Sequence, residues 1–193
     1  MKLSEVFAQI VRDMNESYDN GDLLQWVNRC SDDLTPVANV EASTTFTITS
    51  TNQTFTFPTD RHRDWVMKVT DSESEIEFYR PISMRDSQSK GYLAWGSTFT
   101  LQHGPETGSI TFYYYKKITQ MTSAQLDTEM EIDSEFHDLY ILYGRGQIQF
   151  TEEDMGRGES ERVDSMQLYY KRKAEYEKHR AIKAATQETI EVG

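Results

Sequence analysis

The sequence predicts an α+β fold: a small helical bundle carrying an inserted antiparallel β-sandwich or barrel. Three observations predict it. Apolar residues recur at helical spacing over the first forty residues. The middle of the chain then alternates apolar residues with threonine, the period of a half-buried strand. After residue 132 the period becomes helical again. The chain therefore reads as a helical domain built from 1–40 and 119–183, a β-domain at 44–118 inserted between its halves, and an extended tail at 184–193.

In the first segment, Leu3, Val6, Phe7, Ile10, Val11 and Met14 share one face of a helix over 3–18. Asp19-Asn20-Gly21-Asp22 is turn chemistry, and Asp22 is a natural cap for a second helix over 22–35. Leu23, Leu24, Val27 and Leu34 form its apolar side with Trp26 and Cys30, and Pro36 closes it. Thr44–Thr49 and Thr54–Phe57 then read as the two arms of a β-hairpin. Further strands are expected at 65–70, 75–79, 91–95, 98–102 and 109–116, separated by Asp, Ser, Gly and Pro turn signals. Seven short strands with hairpin-length gaps suit a sandwich or small barrel.

A connection follows over 119–132, with a short turn at Met121-Thr122-Ser123. Residues 132–150 predict a central helix, capped at Asp133 or Ser134. Phe136, Leu139, Tyr140 and Tyr143 line one side of it, and Ile141 and Leu142 widen the arc, so it needs cover from more than one neighbour. Gly144 and Gly146 lower its propensity but let another element approach closely. Thr151-Glu152-Glu153-Asp154 predicts the start of a last helix reaching Lys183, about 50 Å at 1.5 Å per residue, with a break near Gly156 and Gly158. Its far end is expected to project.

Composition bounds the chemistry. With 193 residues, 37% hydrophobic and 12% aromatic, the chain can bury a core. A net charge of −12 disfavours tight, sequence-independent nucleic-acid binding. The single cysteine, Cys30, excludes an internal disulfide. No apolar run approaches the roughly 20 residues of a membrane span. Glu5, Arg12 and Asp13 interrupt any signal-peptide pattern, so an intracellular, soluble product is expected. His62, His103, His137 and His179 are scattered and form no metal-ligand spacing. Gly144-Arg145-Gly146 and Gly156-Arg157-Gly158 follow no strand and complete no phosphate-binding motif. No serine occupies a nucleophile elbow, and the carboxylates at 152–154 are explained by capping. The expectation is a non-enzyme without metal or cofactor.

One charge feature stands out. Lys171, Arg172, Lys173, Lys178, Arg180 and Lys183 load the last helix with cations in an acidic chain. Cations belong near a helix C-terminus, and Glu175 and Glu177 supply local pairs. The other reading is a basic helix that docks on an acidic partner. Ile190 and Val192 in the tail beyond it would add a strand to that partner's sheet.

Several stretches resemble the head–tail connector, or adaptor, proteins of tailed bacteriophages. They are Asp22-Leu23-Leu24-Gln25-Trp26-Val27-Asn28 in the N-terminal hairpin, Phe78-Tyr79-Arg80-Pro81 in the β-insert, and Met121-Thr122-Ser123 ahead of the run from Ile132 to Tyr140. Phe150-Thr151-Glu152-Glu153-Asp154 before a tyrosine-rich helix completes the likeness, which spans most of the chain. Asp133, where such proteins often carry proline, and Gly156 and Gly158 depart from the pattern. The resemblance implies a structural virion protein in the neck, assembled in the host bacterial cytoplasm. It implies a ring, typically of twelve subunits, beneath the portal protein, with a tail, neck or stopper protein on its other side. Genomic DNA would pass through without specific binding, no membrane would be involved, and the last helix and tail would contact the portal. A rival reading is a carbohydrate- or protein-binding β-sandwich module of a phage tail, using Trp65, Trp95, Tyr92 and Tyr113-Tyr114-Tyr115.

Overall fold

The computed structural model describes residues 1–12, 17–73, 75–83, 88–154 and 162–191. Its fold is α+β, with four α-helices and seven strands in two sheets among the described residues. Two compact units emerge: Met1–Val40 with Ile118–Gly193, and Glu41–Lys117.

In the helical unit, α1 (Leu3–Ile10) buries Leu3, Val6, Phe7 and Ile10, the apolar positions of its repeat. It is shorter than the 3–18 expected, with Val11 as its C-cap, and Met14 lies outside the described residues. The first-turn amides of α1, which have no partner within a helix, donate to the connection: Leu3 N to Thr128 O at 3.0 Å and Ser4 N to Leu126 O at 2.9 Å. Helix α2 (Asn20–Ala38) is capped by Asp19 rather than Asp22, because the Asp19 carboxylate accepts from Gly21 N at 2.6 Å. Pro36 does not end it. The helix continues past the ring for two residues, losing one amide bond near its end, and Asn39 stops it in the left-handed region at φ 46°. The Asn28 side-chain amide grips one residue of the connection through both its backbone groups, donating to Met121 O at 3.0 Å and accepting from Met121 N at 2.8 Å.

The central helix begins later than expected. Asp133 precedes a short 3-10 turn, Ser134–Phe136, without a side-chain capping bond, and α3 runs from Asp138 to Asp154. The Asp133 carboxylate is used elsewhere, by Arg180 and Lys183. Residues 150–154, expected to open the last helix, are the end of α3, since nothing in Phe150–Asp154 breaks a helix. The last helix, α4, spans Arg162–Glu191. Residues 184–191 are therefore helical instead of extended. Ala184, Ala185, Gln187 and Glu188 favour helix more than Thr189 and Ile190 oppose it. The expected break at Gly156 and Gly158 lies outside the described residues.

Helix α3 is the one on which the unit is assembled: it packs on α1, α2 and α4. Leu139, Tyr140 and Ile148 are fully buried in that core. The two glycines mark crossings. A Cβ at Gly144 would lie 2.5 Å from Ile10 Cδ1 of α1, and one at Gly146 would collide with the Met166 thioether of α4. Arg145 between them caps the end of α1, donating to Gln9 O at 2.9 Å and Arg12 O at 3.3 Å.

In the β-unit, β1 (Val40–Ile48), β7 (Gly108–Lys116), β3 (Arg61–Asp71) and β4 (Ile76–Tyr79) form one sheet in that order. Strands β2 (Thr54–Thr56), β6 (Thr98–Gln102) and β5 (Gly91–Trp95) form the other. The expected threonine hairpin does not form. After one bridge, Thr49 with Asn52, β1 and β2 diverge into opposite sheets. Divergence is favoured because it brings Phe46, Phe55 and Phe57 around Phe99, with centroids 5.5, 5.5 and 4.8 Å away. The other corner is stitched too. Tyr92 N donates to Arg80 O at 3.1 Å and Ile82 N to Tyr92 O at 3.0 Å, linking the segment after β4 to β5. Only glycine fits at Gly91, where a Cβ would sit 2.7 Å from Arg80 O. The unit is thus a sandwich closed at both corners, between the sandwich and barrel alternatives.

Candidate functional site

The six cations expected to dock on a partner divide into two groups. Four face inward. Lys173 Nζ is 2.8 Å from Asp33 Oδ2 and 3.0 Å from Asp33 O, near the C-terminal end of α2 where positive charge is favoured. Arg172 meets Asp138 at 3.0 Å and Glu175 at 2.8 Å, donates to Glu135 O at 2.6 Å, and lies over the Phe136 ring. Arg180 pairs with Asp133 at 3.3 Å and donates to Asn39 O at 2.6 Å. Lys183 completes the Asp133 cluster at 3.1 Å. The chain places these residues one or two turns apart on α4, so one face of the helix is fastened along its length.

A buried polar group underlies that fastening. The Tyr169 hydroxyl donates to Asp33, and Cys30 Sγ lies 4.0 Å from it. Burial pushes the Tyr169 phenol and the Cys30 thiol far up, which leaves Cys30 a poor nucleophile. Burial also opposes the Asp33 carboxylate, but hydrogen bonds from Lys173 and Tyr169 and the Lys173 charge outweigh it and hold its pKa below the usual range. Asp133 is likewise held low: burial opposes it, and Lys183 and Arg180 overcome the burial.

Lys171 and Lys178 are different. Both are exposed, and no ion pair engages either among the described residues. They share a stripe with Leu168 and Ile182, which are 50% and 58% exposed, at steps of three, seven and four residues along α4. Tyr170, 60% exposed, lies beside it. The sequence reading missed Leu168 and Ile182. Their spacing from the two lysines was a second apolar repeat, offset from the buried one. Ile190 belongs to α4, and Val192 lies outside the described residues.

Other candidates resolve into structural roles. His137 is buried, with Nδ1 2.8 Å from the Met1 nitrogen and Nε2 2.9 Å from Ile132 O, so both ring nitrogens are used. A hollow of about 260 Å³ in the β-unit is lined by Asp71, Glu75, Glu77, Tyr79, Lys90 and His103. Two of its carboxylates are committed: Asp71 accepts from the Glu73 and Glu75 amides, and Glu77 pairs with Lys90 at 2.6 Å. Burial raises the Tyr79 phenol to about 12. Tyr92 and Tyr114 are core residues, so they cannot form a sugar-stacking platform with Trp95, which is exposed at the end of β5. The Trp65 side chain is outside the described set. No group of metal-ligating side chains gathers, and no helix is long and apolar enough to cross a membrane, among the described residues.

Charge is distributed unevenly. Residues 41–117 hold 8 of the 20 Lys+Arg and 9 of the 32 Asp+Glu, a net of −1; the remaining 12 and 23 give the helical unit −11. The family model described as SU10 adaptor protein matches residues 1–189, and no curated protein matches the chain. Since that match runs through both halves of the helical unit and the β-unit between them, the chain belongs to the SU10 adaptor protein family, structural adaptors of the phage head–tail junction.

Proposed function

We propose that copies of this chain form a ring beneath the portal protein of a DNA-filled phage head. The ring links the head to a tail, neck or stopper protein and continues the DNA channel. The observation that carries this reading is the family match across residues 1–189. Twelve copies are expected from the resemblance described above. The excess of carboxylates in the helical unit supports a channel that repels phosphate, so DNA slides through without adhering.

Within that reading, the exposed stripe Leu168, Lys171, Lys178 and Ile182 of α4 is the portal contact. Arg172, Lys173, Arg180 and Lys183 hold the helix in place for it. Apolar anchors flanked by unpaired cations favour an acidic groove that accepts a helix. Electron microscopy of the protein mixed with its candidate portal tests the proposal. A ring of added density at the portal's outer end is expected, and bare portals would overturn it. The double substitution Lys171→Glu and Lys178→Glu should weaken portal binding at least tenfold without moving the unfolding transition. Unchanged binding would remove α4 from the contact.

A further inference from the structure

The outward face of the β1-β7-β3-β4 sheet is unusual for a solvated surface. Met67, Val69, Ile110 and Phe112 point into the core, so the alternate residues point out. Cross-strand pairing arranges those outward residues in rows. Phe78 stands beside Lys68, and Ile76 beside Thr70. Farther along, Arg63 lies over the Tyr115 ring at 4.8 Å. Phe78 is 66% and Ile76 52% exposed. Exposed faces of antiparallel sheets are ordinarily polar, and adjacent large apolar side chains on one mark a contact surface. Lys68 borders Phe78 directly; Arg63, and Glu41 at the start of β1, lie farther along the same face. Apolar anchors bordered by cations fit a partner that is acidic at its rim.

We infer that this face binds the helical unit of a second copy of the same chain. The argument is charge complementarity: the β-unit is nearly neutral and sets the cation Lys68 beside its exposed apolar anchor Phe78, whereas the helical unit carries a net −11. A contact between two different surfaces of identical chains is heterologous, and heterologous contacts propagate into a ring when the rotation closes. The inference rests on the ring proposed above and names the surface that closes it.

The test places a photo-crosslinking amino acid at position 78 in assembled particles and maps the crosslinked peptides by mass spectrometry. Dimers joining position 78 to residues 1–40 or 118–191 of another copy are expected. The variants Phe78→Glu and Lys68→Glu should each reduce that dimer at least tenfold, with unfolding unchanged because both side chains lie on the outer face. Crosslinks to another protein, or to residues 41–117 of a second copy, would overturn the inference while leaving the adaptor role intact. Absence of the chain from the particles would overturn the adaptor role as well.

Discussion

Tyr169 and Phe99 are both completely buried, one at the centre of each unit, and their surroundings have little in common. Tyr169 sits among Cys30, Asp33 and Lys173, and its hydroxyl is committed to a carboxylate. Phe99 sits among Phe46, Phe55, Phe57, Tyr92 and Phe112, with ring centroids between 4.8 and 5.9 Å. The contrast follows from the elements being held. Helix α4 is largely polar and has too narrow an apolar arc to fix its own rotation and register. Directional bonds from Lys173, Arg172, Arg180 and Lys183 supply that information at intervals along it. The sandwich has a thick aromatic centre packed by shape and area, with hydrogen bonds from Tyr79, Tyr92 and Tyr114 at its margin. The first arrangement specifies a geometry; the second mainly supplies stability.

Truncating the aromatic centre should have the largest effect. Phe99→Ala removes the shared ring and leaves a cavity, costing about 3–5 kcal/mol. Urea unfolding followed by near-ultraviolet circular dichroism should show the loss of the β-unit's aromatic signal. Next, Asp33→Ala leaves the Lys173 ammonium without its carboxylate and the Tyr169 hydroxyl without its acceptor, at about 2 kcal/mol. A cost below roughly 0.5 kcal/mol would mean that the α4 clamp is ornamental.

Acid should separate the two units. Asp33 and Asp133 bind protons less readily folded than unfolded. Their contribution is therefore complete above the unfolded value near 3.9 and is lost as the pH falls through the lowered folded values. The helical unit should weaken below about pH 4, read by far-ultraviolet circular dichroism during denaturant titrations. Replacing both residues with Asn should flatten that slope.

Smaller effects sharpen the account of α3. Gly144→Ala drives a methyl into fully buried Ile10, at about 1–3 kcal/mol, from which up to about 1 kcal/mol of helix propensity is recovered. Gly146→Ala meets a flexible thioether instead, so it should be close to neutral. Equal effects at the two positions would contradict the different crossings. Smallest of all, Trp95→Ser should change stability by less than about 0.5 kcal/mol, because the indole is 75% exposed.

Much of the architecture was legible before any coordinates. The helical repeat of Leu3, Val6, Phe7 and Ile10, the strand positions, and the insertion of a β-unit between helical halves all follow local patterns. The misreadings cluster at boundaries. Asp133 and Asp22 have the chemistry of caps, but a cap is decided by which amides are close, and Asp133 was taken by two cations from α4. The threonine hairpin had the right turn and strands, yet Phe46 and Phe55 gain more by facing Phe99 across the core than the strands gain by pairing. The candidate docking site was half legible. Six cations were visible in sequence, but four of them are partnered at ranges of 34 residues or more.

The sequence by itself determined the fold class, the order of the elements, the absence of a disulfide, and the acidity that disfavours adhesion to DNA. These depend on composition and on periods spanning a few residues, which need no knowledge of distant neighbours. Tertiary structure decided which end of each helix is capped by which group and that β1 and β2 part company. It also decided that Lys171 and Lys178, rather than all six cations, are left without an ion pair among the described residues. Those outcomes depend on long-range proximity, where a carboxylate from α2 or from the turn before α3 competes for the same side chain.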